Sequence, residues 1–121
     1  MHQHVKLEIQ EGKRYIASRS SKGFIRAPED ILDLLAWGNE NGTNLFLLED
    51  TDFAVEFYDL KTGLAGEILQ KFSNYYMRVA IVGSFDIVES KRFSEFMVES
   101  NEGSQVRFAR SMEEALSWLV R

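Results

Sequence analysis

The chain has 121 residues, of which 45% are hydrophobic and one is proline, so its length and composition fit one globular domain over residues 1–121 and exclude a disordered protein. Its formal net charge of -5 argues against binding to nucleic acid or to an anionic membrane surface, because both need a basic face. The chain has no cysteine, which excludes disulfides and thiolate sites. Since no apolar run approaches the ~20 residues of a membrane span and no signal peptide is evident, we expect a cytoplasmic protein.

The chain begins with a predicted β-hairpin. Residues 4–10 alternate apolar and polar side chains, which indicates a half-buried strand with its apolar face on Val5, Leu7 and Ile9. Glu11 and Gly12 predict a turn, and residues 13–17 return as a second strand.

Seven further elements are predicted to alternate between helix and strand. Helices are expected to start near Pro28, near Thr62, at Ser90 and at Ser111. Strands are expected at residues 45–48, 77–83 and 105–109, and the first two are apolar throughout, as in strands covered on both faces. Residues 53–58 fit either a short helix or an extended edge. The order β-β-α-β-α-β-α-β-α predicts an α/β fold with a mixed, mostly parallel five-stranded sheet and four helices.

Residues 59–74 pass from a loop into a helix whose first turn contains Gly63, Ala65 and Gly66. A glycine costs a helix about 1 kcal/mol relative to alanine, so two glycines here need a physical reason. The usual reasons are close packing on a sheet or a backbone that admits a ligand. We expect packing on the sheet to explain at least one of them. The predicted inner face of the helix is Leu64, Ile68, Leu69, Phe72 and Tyr76.

The start of this helix has two interpretations. Lys61, Thr62 and the free amide groups of a helix N-terminus can hold an anion, or Thr62 can serve as an ordinary cap. The order of glycine and lysine differs from a P-loop, which excludes nucleotide binding of that kind. An outward strip of the helix is either solvated or binds a partner; it comprises Glu67, Lys71, Asn74 and Arg78.

Two groups of residues resemble metal ligands. Glu49, Asp50 and Asp52 follow a buried strand, where they either hold magnesium or cap a turn and solvate a loop. His2 and His4 are the only histidines, and they either touch a metal or belong to a frayed terminus. Neither spacing requires a metal, and we expect no metal and no cofactor.

The element order is similar to that of the STAS domain, which is shared by sulfate transporters and anti-sigma-factor antagonists. In that family an Asp-Ser-Ser-Gly-Leu-Gly motif opens a helix, and here Asp59-Leu-Lys-Thr-Gly-Leu-Ala65 stands in its place. In the bacterial regulators of that family a partner kinase phosphorylates the serine before the glycine. The resemblance therefore implies that Thr62 is a phosphorylation site, although the spacing from aspartate to glycine is one residue longer here.

A longer stretch looks like the signature of a small bacterial family, the domain of unknown function number 4180. It runs from Phe57 to Tyr75 as Phe-Tyr-Asp-Leu-Lys-Thr-Gly-Leu-Ala-Gly-Glu-Ile-Leu-Gln-Lys-Phe-Ser-Asn-Tyr, and Ala80-Ile-Val-Gly83 and Phe96-Met-Val-Glu-Ser-Asn101 continue it. This resemblance implies a fold and supplies no activity.

We therefore expect a non-enzymatic regulatory or protein-interaction domain that binds a protein partner and can form oligomers. Its predicted binding residues are Asp59, Lys61, Thr62, Gly63, Gly66, Glu67, Lys71 and Asn74. The alternative is a domain that binds a small anionic or lipid-like ligand beside the two glycines. A third hypothesis is a metal-dependent hydrolase or lyase that uses Glu49, Asp50 or Glu67.

Overall fold

The computed structural model describes residues 3–121, so His2 lies outside the described residues. The strands are Val5–Gln10 (β1), Lys13–Ser18 (β2), Leu45–Glu49 (β3), Arg78–Val82 (β4) and Val106–Ala109 (β5). The helices are Asp30–Glu40 (α1), Leu64–Asn74 (α2), Lys91–Asn101 (α3) and Met112–Leu119 (α4). The predicted element order and fold class are confirmed. Within residues 3–121, every helix falls short of the length and apolar character needed to cross a bilayer.

Three short 3-10 turns connect β3 to α2. They are Asp50–Asp52, Val55–Tyr58 and Leu60–Thr62. Residues 53–58, which the sequence left open, are therefore mostly helical. These turns carry the loop that the sequence analysis singled out.

The five strands lie in the sheet in chain order, β1-β2-β3-β4-β5. β1 is antiparallel to β2, and the remaining pairs are parallel. Right-handed crossovers, the rule for parallel strands, then place α1, α2 and α3 on one face of the sheet. Their buried side chains share the larger core, which includes Leu34, Phe72 and Phe93. α4 covers the opposite face through Ala115, Trp118 and Leu119.

The packing of β3 explains why its sequence does not alternate between apolar and polar residues. Phe46 and Leu48 belong to the larger core, whereas Leu47 belongs to the core under α4. Both faces of this strand are therefore covered.

The hairpin and the end of α2 differ from the prediction. Val5 is buried, but Leu7 is 38% and Ile9 is 63% exposed, because α1 packs on β2 and β1 lies at the edge of the sheet. Tyr76 is 79% exposed, so its predicted place on the inner face of α2 is wrong. α2 ends at Asn74, and Tyr76 has a positive φ of 55° that takes the chain out of the helix.

Arg78 also differs from the prediction, since it does not belong to the outward strip of α2. It is the first residue of β4, and its guanidinium lies 3.8 Å from the centre of the Trp118 ring. The same group donates hydrogen bonds to the carbonyl oxygens of Trp118, Leu119 and Ser104. Arg78 thus fastens the end of α4 to the sheet.

Candidate functional site

The predicted binding residues lie along the loop before α2 and on its exposed side. Asp59 accepts a hydrogen bond from the backbone N–H of Lys61 at 3.0 Å, which caps the last 3-10 turn. Gly63 has a φ of 77°, a left-handed conformation in which side chains are strained. This glycine is therefore needed for the sharp change of direction between the turn and α2.

Thr62 is bound into the turn by its hydroxyl group. Its Oγ1 lies 2.8 Å from the carbonyl oxygens of Glu56 and Asp59, which share its one proton, and it accepts from the N–H of Leu64 at 3.2 Å. The hydroxyl thus satisfies one free amide at the start of α2, as a cap does. Through Glu56, it also connects the start of α2 to the earlier 3-10 turn Val55–Tyr58.

Neither glycine of the first turn packs on the sheet, so that expectation is wrong. No atom outside the local backbone lies within 4 Å of the position that a Cβ would take at Gly63 or Gly66. The buried small residue of this turn is Ala65. The glycines that meet close neighbours are Gly38, beside Phe46, and Gly83, beside Asp50.

Three remaining predicted residues line the solvent side of α2. Glu67 and Asn74 are exposed and Lys71 is half-buried. Asn74 accepts a hydrogen bond from Gln70 at 2.9 Å, and the Lys71 ammonium lies 6.0 Å from the centre of the Tyr75 ring. These contacts are local to the helix and leave its outer side accessible.

The acidic cluster after β3 holds the loops at the carboxyl edge of the sheet. Asp52 is fully buried, and its carboxylate accepts from the Ser18 hydroxyl at 2.9 Å and from the N–H of Glu49 at 2.7 Å. Burial raises the pKa of Asp52 to about 6, and the nearby carboxylates of Glu49 and Asp50 add to the rise. Glu49 itself accepts a hydrogen bond from the Ser20 hydroxyl. These bonds join the ends of β2 and β3.

Asp50 joins the ends of β3 and β4. Its carboxylate accepts from the N–H of Phe85 at 3.0 Å and lies so close to Gly83 that a Cβ there would be 2.1 Å from the Asp50 Cγ. Tyr58 donates to the Asp50 carbonyl oxygen at 2.5 Å, and burial raises the pKa of the Tyr58 phenol. Among residues 3–121, no three acidic or histidine side chains converge as metal ligands.

An open cavity of about 300 Å³ lies beside these bonds, and we name it the edge cleft. Its apolar walls are Phe53, Val55, Tyr58 and Ile87, and its polar rim includes Lys22, Asp50, Ser84 and Asp86. Val55 is 61% and Ile87 is 43% exposed. The cleft therefore combines accessible apolar side chains with a few charged groups, as small-molecule and partner sites do.

The edge cleft is not among the predicted sites, although the sequence contains one signal for it. Asp50 and Gly83 directly follow β3 and β4, and the register pairs the preceding residues, Glu49 and Val82. A parallel sheet therefore brings Asp50 and Gly83 together. The exposure of Val55 and Ile87 carries no comparable signal, because it depends on how two separate loops pack.

Comparisons with known proteins give one result. Searches of curated proteins and of solved structures found no match. The family model described as Domain of unknown function (DUF4180) matches residues 10–119, which is nearly the whole chain. The chain therefore belongs to the DUF4180 family.

Proposed function

We propose that the chain is a STAS-like regulatory domain of a bacterial cytoplasm that binds a protein partner. The docking surface comprises the edge cleft and residues 59–67. A phosphate on Thr62 switches the affinity of this surface for the partner. This surface is a site of recognition and not of catalysis.

The observation that carries the proposal is the 2.8 Å hydrogen bond from the Thr62 hydroxyl to the Glu56 carbonyl. Glu56 lies in the turn that also carries Val55 and Tyr58, two walls of the edge cleft. A change at Thr62 therefore acts on the turn that forms two walls of the cleft.

Phosphorylation would break this connection. The ester oxygen of phosphothreonine has no proton to donate, so the bonds to the carbonyls of Glu56 and Asp59 are lost. The phosphate adds close to two negative charges beside those two carbonyl oxygens. The phosphate is repelled by these carbonyl oxygens and attracted by Lys61 and the N-terminal amides of α2. Both effects favour release of Thr62 from the Glu56 carbonyl and a change in the shape of the cleft.

The acidic residues support recognition and not catalysis at this edge. The carboxylates of Asp50 and Asp52 already accept hydrogen bonds that hold the loops. These bonds fix the loops around the cleft, while Val55 and Ile87 supply accessible apolar area of the kind found at the centre of protein interfaces.

The test compares Thr62→Glu, Thr62→Val and Thr62→Ser. Immobilised variants are exposed to extract of the source organism, and the captured proteins and any phosphate on Thr62 are identified by mass spectrometry. We expect Thr62→Ser, which keeps the hydroxyl, to retain the wild-type partners and the other two to lose them. Val55→Asp serves as an independent disruption of the cleft. Unchanged partners in all variants, with no phosphate on Thr62, would contradict the proposal.

A small anionic or lipid-like ligand in the edge cleft is the second candidate. The observation that favours it is the position of Lys22 at the rim of apolar walls, an arrangement that suits a negative head group on an apolar body. Thermal-shift assays with anionic amphiphiles test it, since a ligand at a hundred times its Kd adds about 2.7 kcal/mol to stability. We expect Lys22→Gln to abolish the shift. A panel without any shift argues against this candidate.

A further inference from the structure

We propose that a second copy of this chain pairs antiparallel with β1, so that one sheet runs through a two-fold symmetric dimer. β1 is an outer strand of the sheet. It pairs residue for residue with β2 without a bulge and contains no proline. Such strands carry unpaired backbone groups that can bond to another strand when no bulge or proline prevents it. Charged side chains such as Lys6 and Glu8 of β1 also oppose pairing, unless the register gives them partners of opposite charge.

The backbone groups of Val5, Leu7 and Ile9 face the free edge. Arg19 donates its N–H to the His4 carbonyl, and the two-residue turn closes on the pair of Gln10 and Lys13. Both observations fix the same alternation, in which even-numbered residues of β1 bond to β2. The odd-numbered residues point their N–H and C=O groups away from β2. Arg19 also donates from its side chain to the Val5 carbonyl at 3.1 Å, and this oxygen has a second lone pair.

A two-fold axis at Leu7 gives hydrogen-bond partners to the outward N–H and C=O groups of β1. Leu7 then exchanges two hydrogen bonds with Leu7 of the partner subunit, and Val5 exchanges two with Ile9 of the partner subunit. The same register places Lys6 opposite Glu8 of the partner subunit. This is a non-hydrogen-bonded position, where facing side chains are closest.

The charges select this register over its neighbours. Lys6 and Glu8 lie on one face of β1, and in the single chain they pair with each other at 3.7 Å while remaining exposed. A shift of the axis to Lys6 would place the Lys6 side chains of the two subunits opposite each other. A shift to Glu8 would do the same with the two Glu8 side chains. Like charges directly opposite are destabilising. Only the axis at Leu7 makes two opposite-charge pairs.

The other face of β1 supplies apolar contact. Leu7 and Ile9 extend beyond the cover of α1, and 38% of Leu7 and 63% of Ile9 is exposed. In the proposed register Leu7 faces Leu7 of the partner subunit and Ile9 faces Val5 of the partner subunit, so the exposed area of Leu7 and Ile9 leaves water. The contact is narrower than a standard interface, so we expect a reversible, concentration-dependent dimer.

Charge reversal tests this proposal by sedimentation velocity from micromolar to near-millimolar concentration. Lys6→Glu and Glu8→Lys each create like-charge pairs in their own dimers, and we expect each to weaken self-association about tenfold. An equimolar mixture of the two variants restores opposite charges at every position, and we expect it to form a heterodimer as tight as the wild-type dimer. Lys91→Glu, the same charge change on α3, is the matched control and should leave association unchanged.

Amide hydrogen exchange provides a readout without any substitution. The amides of Val5, Leu7 and Ile9 should exchange quickly in dilute protein and become protected as concentration rises, whereas those of Lys6 and Glu8 are protected throughout. Wild-type protein that sediments as a monomer at every concentration would overturn the proposal. A dimer that ignores both charge reversals, or that leaves the three outward amides unprotected, would overturn it as well.

Discussion

At the scale of single residues, the two glycines at the start of α2 have different explanations: Gly63 directly precedes the helix, and Gly66 lies in its first turn. Gly63 takes a left-handed conformation between the last 3-10 turn and the helix. This backbone conformation explains why the residue is a glycine. Gly66 has an ordinary helical conformation and open space where a Cβ would point. Nothing in the fold requires a glycine at that position, and it leaves a smooth, accessible spot within the proposed docking surface.

We therefore expect opposite effects from alanine at these two positions. Gly66→Ala should raise the free energy of unfolding by about 0.5 to 1 kcal/mol, because alanine favours the helix. Gly63→Ala should lower it by about 1 to 2 kcal/mol, because alanine is strained in the left-handed region. Urea unfolding of the two variants beside the wild type measures both. A loss of stability in Gly66→Ala would show that Gly66 has a structural role.

Asp50 and Gly83 form another residue-scale pair. A Cβ at residue 83 would displace the Asp50 carboxylate and break its bond to Phe85, so we expect Gly83→Ala to destabilise the protein by about 1 to 3 kcal/mol. In an Asp50→Ala background the same change should have much less effect, because the clash is gone. A double-mutant cycle from urea unfolding measures this coupling. Additive effects would contradict the explanation.

At the scale of elements, α4 is attached to the sheet through Arg78. The face under α4 is the thinner one, covered by a single helix of eight residues. Arg78 combines a stacked position on Trp118 with hydrogen bonds to carbonyls at the C-terminal end of the helix. A cation there also interacts favourably with the negative end of the helix dipole.

We expect Arg78→Lys to weaken this attachment. Lysine keeps the charge but lacks the planar fork, so it loses the stacking and most of the hydrogen bonds. The free energy of unfolding should fall by about 1 to 3 kcal/mol. Arg107→Lys is the matched control, since the Arg107 guanidinium lies 5.8 Å from the same ring. Equal losses in the two variants would contradict the assigned role of Arg78.

At the scale of the whole molecule, stability depends on pH through Asp52. Burial raises its pKa to about 6 from an ordinary value of 3.8, so the folded chain keeps this proton to a higher pH than the unfolded chain does. The stabilisation due to this proton is complete below about pH 4 and is lost as pH rises to about 6. The loss is on the order of 2 to 3 kcal/mol.

Asp52→Asn isolates this dependence. The amide oxygen can accept from Glu49, and the amide nitrogen can donate to the Ser18 hydroxyl, so both bonds keep a partner. We expect the stability of the variant relative to the wild type to increase by about 2 to 3 kcal/mol between pH 4 and pH 7. Urea unfolding at several pH values measures the difference. Parallel curves would show that Asp52 does not titrate in this range.

Hydrophobic periodicity and helix-capping residues in the sequence predicted the helices, the strands and the sheet. The apolar runs at β3 and β4 and the caps at Ser90 and Ser111 located their elements, and the alternation of strand and helix predicted the sheet. These patterns did not predict the exposure of Tyr76, the contacts of Arg78 or the edge cleft. The exposure of Tyr76 follows from the end of α2 at Asn74 and the positive φ of Tyr76. The environments of Arg78 and the edge cleft depend on contacts between distant segments, such as the bond of Asp50 to Phe85, 35 positions further along the chain. No local pattern encodes such contacts.

The linear order of the strands also bears on how the chain folds during synthesis. Neighbouring strands are made one after another, and paired residues such as Ile16 and Phe46, or Phe46 and Val79, are about 30 positions apart. A ribosome adding about 5–20 residues per second makes such a unit in about two to six seconds, whereas helices and hairpins form within microseconds. Every new strand after β1 therefore emerges when its only upstream neighbour is already available. The sheet can grow in one direction at the pace of translation, without waiting for a later segment to be inserted between strands.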